Sequence, residues 1–210
     1  MIEELIIRTL CDTLPQTTTD AVFLFGQTED NQHAAFRAAQ ELLQQKQAQR
    51  VLFLNTAPMS GYPGVESWKS ALQELGIPEH QLEPIPPVPA DTQMLHTRIE
   101  AESMVRHAKA KNYRSVVVTA APFQQPRAFM AAVTIALEQY PQLRIYSSPG
   151  KALPWQEEVV HSQGEVHNTR AGLIAGEVER IRKYHAQGDL ASVEDVLEYL
   201  NKRDEALQQL

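Results

Sequence analysis

Arg127 follows a proline at the start of a helical stretch, in VVVTAAPFQQPRA (116–128). A cation in the first turn of a helix opposes the macrodipole by about 0.3 to 1 kcal/mol, while the same helix end attracts anions. An anion lying between that helix end and the guanidinium would reverse the sign. Arg127 therefore reads as an anion-holding group, or else as a solvated cation or one paired with a nearby glutamate. Thr97 and Glu100 pose a similar alternative. Their S/T-x-x-E spacing ahead of an apolar stripe is that of a capping box; in the other reading, Glu100 takes a ribose hydroxyl or an amine of a ligand. Gly26 ends an apolar run, where a residue without Cβ suits a tight exit.

Short apolar runs alternate with helical patterns, and these elements must position the groups. DAVFLFGQ (20–27) and RVLFLNTAP (50–58) read as strands buried on both faces, and SVVVTA is the most strand-like run. LRIYSS (143–148) is a last short strand, and the proline-rich QLEPIPPVPAD (81–91) fits only a sheet edge and a rigid connection. Between them lie helices with apolar faces: Ala35, Ala38, Ala39, Leu42 and Leu43; then Ala101, Met104, Val105 and Ala108; then Phe129, Ala132, Val133, Ala136, Leu137 and Tyr140. MIEELIIRTLCDTL reads as an amphipathic first helix rather than a signal peptide. Two further helices follow from about residue 167, the first ending at Gly188 and the second opening on a Ser192/Asp195 capping box.

The fold class is α/β: a three-layer Rossmann-like fold with a mostly parallel sheet of about five strands, plus C-terminal helices. One domain spans residues 1–210, with its core at about 20–150 and a helical extension at about 167–210. In such a sheet, ligands bind at the carboxyl ends of the strands. The residues delivered there include Gly26, Gln27, Thr28, Asn55, Thr56, Thr119, Ser147 and Ser148. They are small, amide or hydroxyl-bearing, with no carboxylate dyad, so the rim suits binding before catalysis. Arg37 falls opposite the apolar face of its helix.

Several functions are excluded or disfavoured. No G-x-G-x-x-G, P-loop or G-x-S-x-G pattern occurs. His161 and His167, in the loop-like HSQGEVH, lack further ligands, so no metal site is expected. A net charge of −7 with scattered basic residues argues against nucleic-acid binding. No apolar run of about 18 residues is present to span a bilayer, so a cytoplasmic protein is expected. A lone Cys11, expected to be buried, rules out an internal disulfide framework. Gly172 and Gly176 would let a helix approach its neighbour, and Glu177 with Arg180 forms an i, i+3 surface pair.

Taken in order, AVFLFG, the helix with Arg37, HTRIEA, VVVTAAPFQQPRA and GEVERIRKYHAQGDLAS resemble the YdcF/SanA/ElyC-like family of bacterial domains of unknown function. The match runs over about residues 20–150. Thr119, Pro122, Arg127 and Ala128 match the family's V-T-S-P-x-H-x-x-R-A segment, and Thr97, Glu100 and Ala101 match its N-T-x-x-E-A segment. Gln124 replaces the family's histidine, His96 stands where asparagine is frequent, and Asn55 to Pro58 replace a glycine-rich turn. The resemblance implies a Rossmann-like fold, a small-molecule site at the strand ends, an S-adenosylmethionine-like ligand and links to envelope metabolism. The loss of a group titrating near neutrality puts catalysis in doubt.

The expected function is binding of an anionic or nucleotide-like small molecule by Gly26, Gln27, Arg37, Asn55, Thr97, Glu100, Thr119, Gln124 and Arg127. One alternative is a transferase or hydrolase acting on a phosphorylated envelope or nucleotide precursor, with His96 or Glu100 as the titrating group. Another is an interaction protein whose C-terminal helices form a partner or homodimer surface.

Overall fold

The computed structural model describes residues 1–161 and 166–208. Five strands, β1 (Ala21–Leu24), β2 (Val51–Leu54), β3 (Leu82–Ile85), β4 (Ser115–Thr119) and β5 (Arg144–Ser147), form one parallel sheet in the order β3-β2-β1-β4-β5. Every residue of β1 and β2 is buried, as continuous apolar runs require when helices cover both faces. The register pairs Phe23 with Leu52 on one side and with Val118 on the other. Pro84 sits in β3 at the sheet edge, where its missing N–H breaks no inner ladder.

Seven helices are described: α1 (Ile2–Leu10), α2 (Glu29–Gln44), α3 (Val65–Glu74), α4 (Thr97–Ala110), α5 (Gln125–Gln139), α6 (Arg170–Ala186) and α7 (Val193–Gln208). Right-handed crossovers put α2 and α3 on one face of the sheet and α4 and α5 on the other. Phe36 of α2 meets the fully buried Trp68 of α3 edge-on at 4.9 Å. From Gln125 to Ala136, α5 is buried on all sides, because α1, α4, α6 and α7 pack around it and its alanines permit close approach. The expected single apolar face was therefore too narrow, and Leu137, assigned to it, is exposed.

The C-terminal helices belong to the core. Arg203 of α7 donates to both Asp12 oxygens, at 2.5 and 2.8 Å, and to the Ile145 carbonyl, and lies over the Tyr146 ring at 4.7 Å. Val196, Leu197 and Leu200 are buried, so the apolar stripe of α7 is covered by the protein's own core. The capping box expected at its start forms: the Asp195 N–H donates to Ser192 Oγ at 3.0 Å, and the Ser192 N–H to the Asp195 carboxylate at 3.3 Å. Ser192→Ala should cost about 1 kcal/mol and lower Tm by about 2–4 °C in a thermal melt.

A β-hairpin not expected from the sequence follows β5. Its strands β6 (Glu158–His161) and β7 (Val166–Thr169) pair antiparallel, with Val160 opposite His167. It covers part of the HSQGEVH stretch read as loop-like; positions 162–165 of that stretch lie outside the described residues. The hairpin is tied to α2. Thr28 Oγ1 donates to the Val160 carbonyl at 2.8 Å, and the Val160 N–H donates to the Asp30 carboxylate at 2.8 Å. Arg170 donates to Asn31 Oδ1 at 2.9 Å.

Cys11 is exposed just past α1, not buried as expected. Gly172 lies against the Asn168 side chain rather than against a neighbouring helix. Among the described residues no helix is long and apolar enough to cross a membrane.

Candidate functional site

Between β1 and β4 the strand order reverses direction, and crevices at such points hold ligands in open α/β sheets. A cavity of about 480 Å³ opens there. Gly26 and Gln27 reach it from the β1 exit, Thr97 and Glu100 from the start of α4, and Gln124 and Arg127 from the start of α5. Six of the nine expected residues thus line one cavity. The other three do not. Arg37 is exposed on α2, Asn55 is exposed beyond β2, and Thr119 is fully buried at the end of β4, outside the lining.

The expected capping box of Thr97 and Glu100 does not form, because α4 starts one residue too early. His96 occupies the cap position and Thr97 is already helical. Thr97 Oγ1 instead accepts a hydrogen bond from Arg127 Nη1. Glu100 Oε1 accepts the Gly26 N–H at 2.5 Å. A Cβ on residue 26 would stand 2.9 Å from that oxygen, which explains the glycine. Glu100 is only 4% exposed, and burial pushes its carboxyl up to about 7 against the opposing pull of the Gly26 N–H and the Arg127 charge.

Arg127 sits in the first turn of α5, and Gln125 fixes the loop ahead of it. Gln125 Oε1 accepts the Ala120 N–H at 2.6 Å, while Nε2 donates to the Val118 carbonyl and Ser147 Oγ, both at 2.8 Å. Of the alternatives for Arg127, the pairing with a glutamate is present. Its Nε donates to Glu177 Oε2 at 2.5 Å and its Nη2 to Oε1 at 3.3 Å. Glu177 also accepts from Arg180 Nη1 at 2.7 Å and is hydrogen-bonded to His161 Nε2 at 2.9 Å. Burial would raise the Glu177 carboxyl, yet the Arg127 charge and the His161 and Arg127 hydrogen bonds hold it down to about 2. The pair read as lying on a helix surface is therefore the centre of a buried cluster.

Gln27 and Gln124 join across the cavity floor. Gln27 Nε2 donates to Gln124 Oε1 at 2.8 Å, and to the Gly26 and Phe25 carbonyls at 3.0 and 3.2 Å. Gln27 Oε1 is buried without a partner among the described residues.

His161, Arg180 and Tyr184 also line the cavity, and Glu177 supports the first two. None of these was assigned to the site from sequence. The helical spacing of Glu177 and Arg180 marks them as neighbours without revealing that α6 folds back over the strand ends. His161 arrives on a hairpin whose pattern gives no strand signal. Among the described residues no cluster of histidine, cysteine and carboxylate side chains could hold a metal ion.

A wider recess of about 1660 Å³ runs along the opposite edge of the sheet, near Asp20, Ser115 and Arg144 at the strand starts. The smaller cavity is the better candidate, because it lies at the carboxyl ends of the strands and gathers the buried charged groups. No family model, curated protein or solved structure matches the chain.

Proposed function

We propose that the protein binds a small anionic, nucleotide-like molecule in the cavity at the carboxyl ends of β1 and β4. One observation carries this reading: two guanidiniums, Arg127 and Arg180, share the single carboxylate of Glu177, so that this cluster beside the cavity carries one formal positive charge in excess. The volume falls within the range of small-molecule sites. The resemblance to the YdcF/SanA/ElyC-like family adds an S-adenosylmethionine-like ligand, which is nucleotide-like but carries a net positive charge and so agrees with the nucleotide part of this reading and not with its anionic part. The net charge of −7 favours a protein without a nucleic-acid partner, and the lone cysteine suits the cytoplasm.

A thermal-shift panel of nucleotides, sugar phosphates, S-adenosylmethionine and inorganic phosphate tests this. A ligand at about 100 times its Kd adds about 2.7 kcal/mol, which raises Tm by about 5–10 °C for a chain of this size. Arg127 is a poor probe, since its removal leaves Glu177 buried without its main partner. Arg180 is more exposed, so Arg180→Gln should leave the apo melt nearly unchanged and weaken the anionic ligands selectively. If no anion shifts the wild type, the proposal fails.

A second reading, a transferase or hydrolase acting on a phosphorylated precursor, is favoured by the Glu100 carboxyl at about 7, in the range suited to proton transfer at neutral pH. It requires turnover of a bound ligand that Glu100→Gln abolishes while binding persists.

A further inference from the structure

Two oxygens on residues that line the cavity accept no hydrogen bond among the described residues, and Gly26 links those two residues. Gln27, only 3% exposed, has Oε1 buried without a partner among the described residues. Its orientation is fixed: a flipped amide would set Oε1 against the Phe25 and Gly26 carbonyls and Gln124 Oε1, all acceptors. Glu100, held on Oε1 by the Gly26 N–H, receives no hydrogen bond on Oε2 among the described residues. Gly26 and Gln27 are consecutive, so the two acceptors share one wall. Buried acceptors in native proteins are nearly always satisfied, and Gln27 Oε1, an exception on a residue that lines the cavity, marks where a ligand donor belongs.

We propose that Gln27 Oε1 and Glu100 Oε2 receive hydroxyl groups of a sugar, so that the anionic ligand is a sugar phosphate or ribonucleotide rather than a simple anion. This rests on the function proposed above. The donors are taken as hydroxyls rather than an ammonium group, because the Arg127–Glu177–Arg180 cluster at the same cavity carries one formal positive charge in excess. The two ends of the ligand are thereby separated: its hydroxyls meet the β1 exit, and its anion meets the Arg127–Glu177–Arg180 cluster on α5 and α6.

The test compares ribose 5-phosphate with 2-deoxyribose 5-phosphate, and adenosine 5′-monophosphate with its 2′- and 3′-deoxy forms, by titration calorimetry, with inorganic phosphate as control. A site built to bond a hydroxyl rejects the analogue lacking it, so the wild type should lose about tenfold or more in affinity for at least one deoxy form. Gln27→Met, which keeps the volume and removes the acceptor, should shrink that ratio to within about threefold. Should Gln27→Met not fold, the comparison on the wild type alone decides. Equal binding of hydroxylated and deoxy ligands, or of inorganic phosphate as tightly as either, overturns the sugar assignment and leaves the anion site standing. Binding of none of them removes the proposed function, and the sugar assignment falls with it.

Discussion

Glu177→Ala should be among the most damaging single substitutions in the protein, lowering stability by about 3–5 kcal/mol. The side chain is 4% exposed and serves Arg127, Arg180 and His161 together, so its loss strands a buried guanidinium whose remaining side-chain hydrogen bond among the described residues is to Thr97, beside the Tyr184 ring. For a chain of this length that corresponds to a fall in Tm of about 10 °C. The effect carries a pH signature. The Glu177 carboxyl lies at about 2 in the folded protein, below its ordinary 4.5. A depressed carboxylate stabilises the fold above its ordinary value, and that contribution disappears as pH falls from about 4.5 toward about 2. The gap between wild type and variant should therefore be full at pH 6 and close in that acid window. Equal stabilities at pH 6, measured by chemical denaturation, would mean that the cluster adds nothing to the fold.

Glu100→Gln should act in the opposite sense. Its folded-state carboxyl is raised to about 7 from an ordinary 4.5, so the fold prefers the protonated form. The associated stability is fully present below about 4.5 and is lost as pH rises through about 7. Above that, the buried carboxylate costs up to about 3 kcal/mol. A glutamine keeps a carbonyl for the Gly26 N–H and removes the charge. The variant should thus match wild type near pH 4 and exceed it by up to about 3 kcal/mol at pH 8. A variant less stable than wild type at pH 8 would contradict the assignment of Glu100 as a strained buried acid. Stability traded in this way for a carboxylate in a cavity is a frequent mark of a functional group.

The sheet was legible because β1, β2 and β4 are short apolar runs stopped by a breaker, and because Pro84 and its neighbours fit only an edge. The hairpin was not: β7 reads Val166–Thr169 with no apolar alternation, and the tie to α2 through Thr28 and Asp30 is tertiary. At the site, position along the chain found Gly26, Gln27 and Arg127, since strand exits and helix starts must meet at one sheet edge, while Gln124 came from the resemblance. Arg37 was carried by resemblance alone; its position opposite Ala35, Ala38 and Ala39 pointed to solvent, where it lies. Glu177 lies 50 residues from Arg127, and no local pattern encodes that approach. The Thr97 and Glu100 spacing suggested a local box, yet a start of α4 at Thr97 freed both side chains for contacts across the cavity.

The most direct measurement is an NMR titration with adenosine 5′-monophosphate, following the side-chain amide of Gln27 and the ring of His161 beside Tyr199 in the wide recess at the opposite edge. Saturable shifts at Gln27 and His161, with Tyr199 unmoved, are predicted for a ligand held between the β1 exit and the Glu177 cluster. Shifts confined to Tyr199 and its neighbours, or none at either place, would contradict a binding site at the carboxyl ends of the strands.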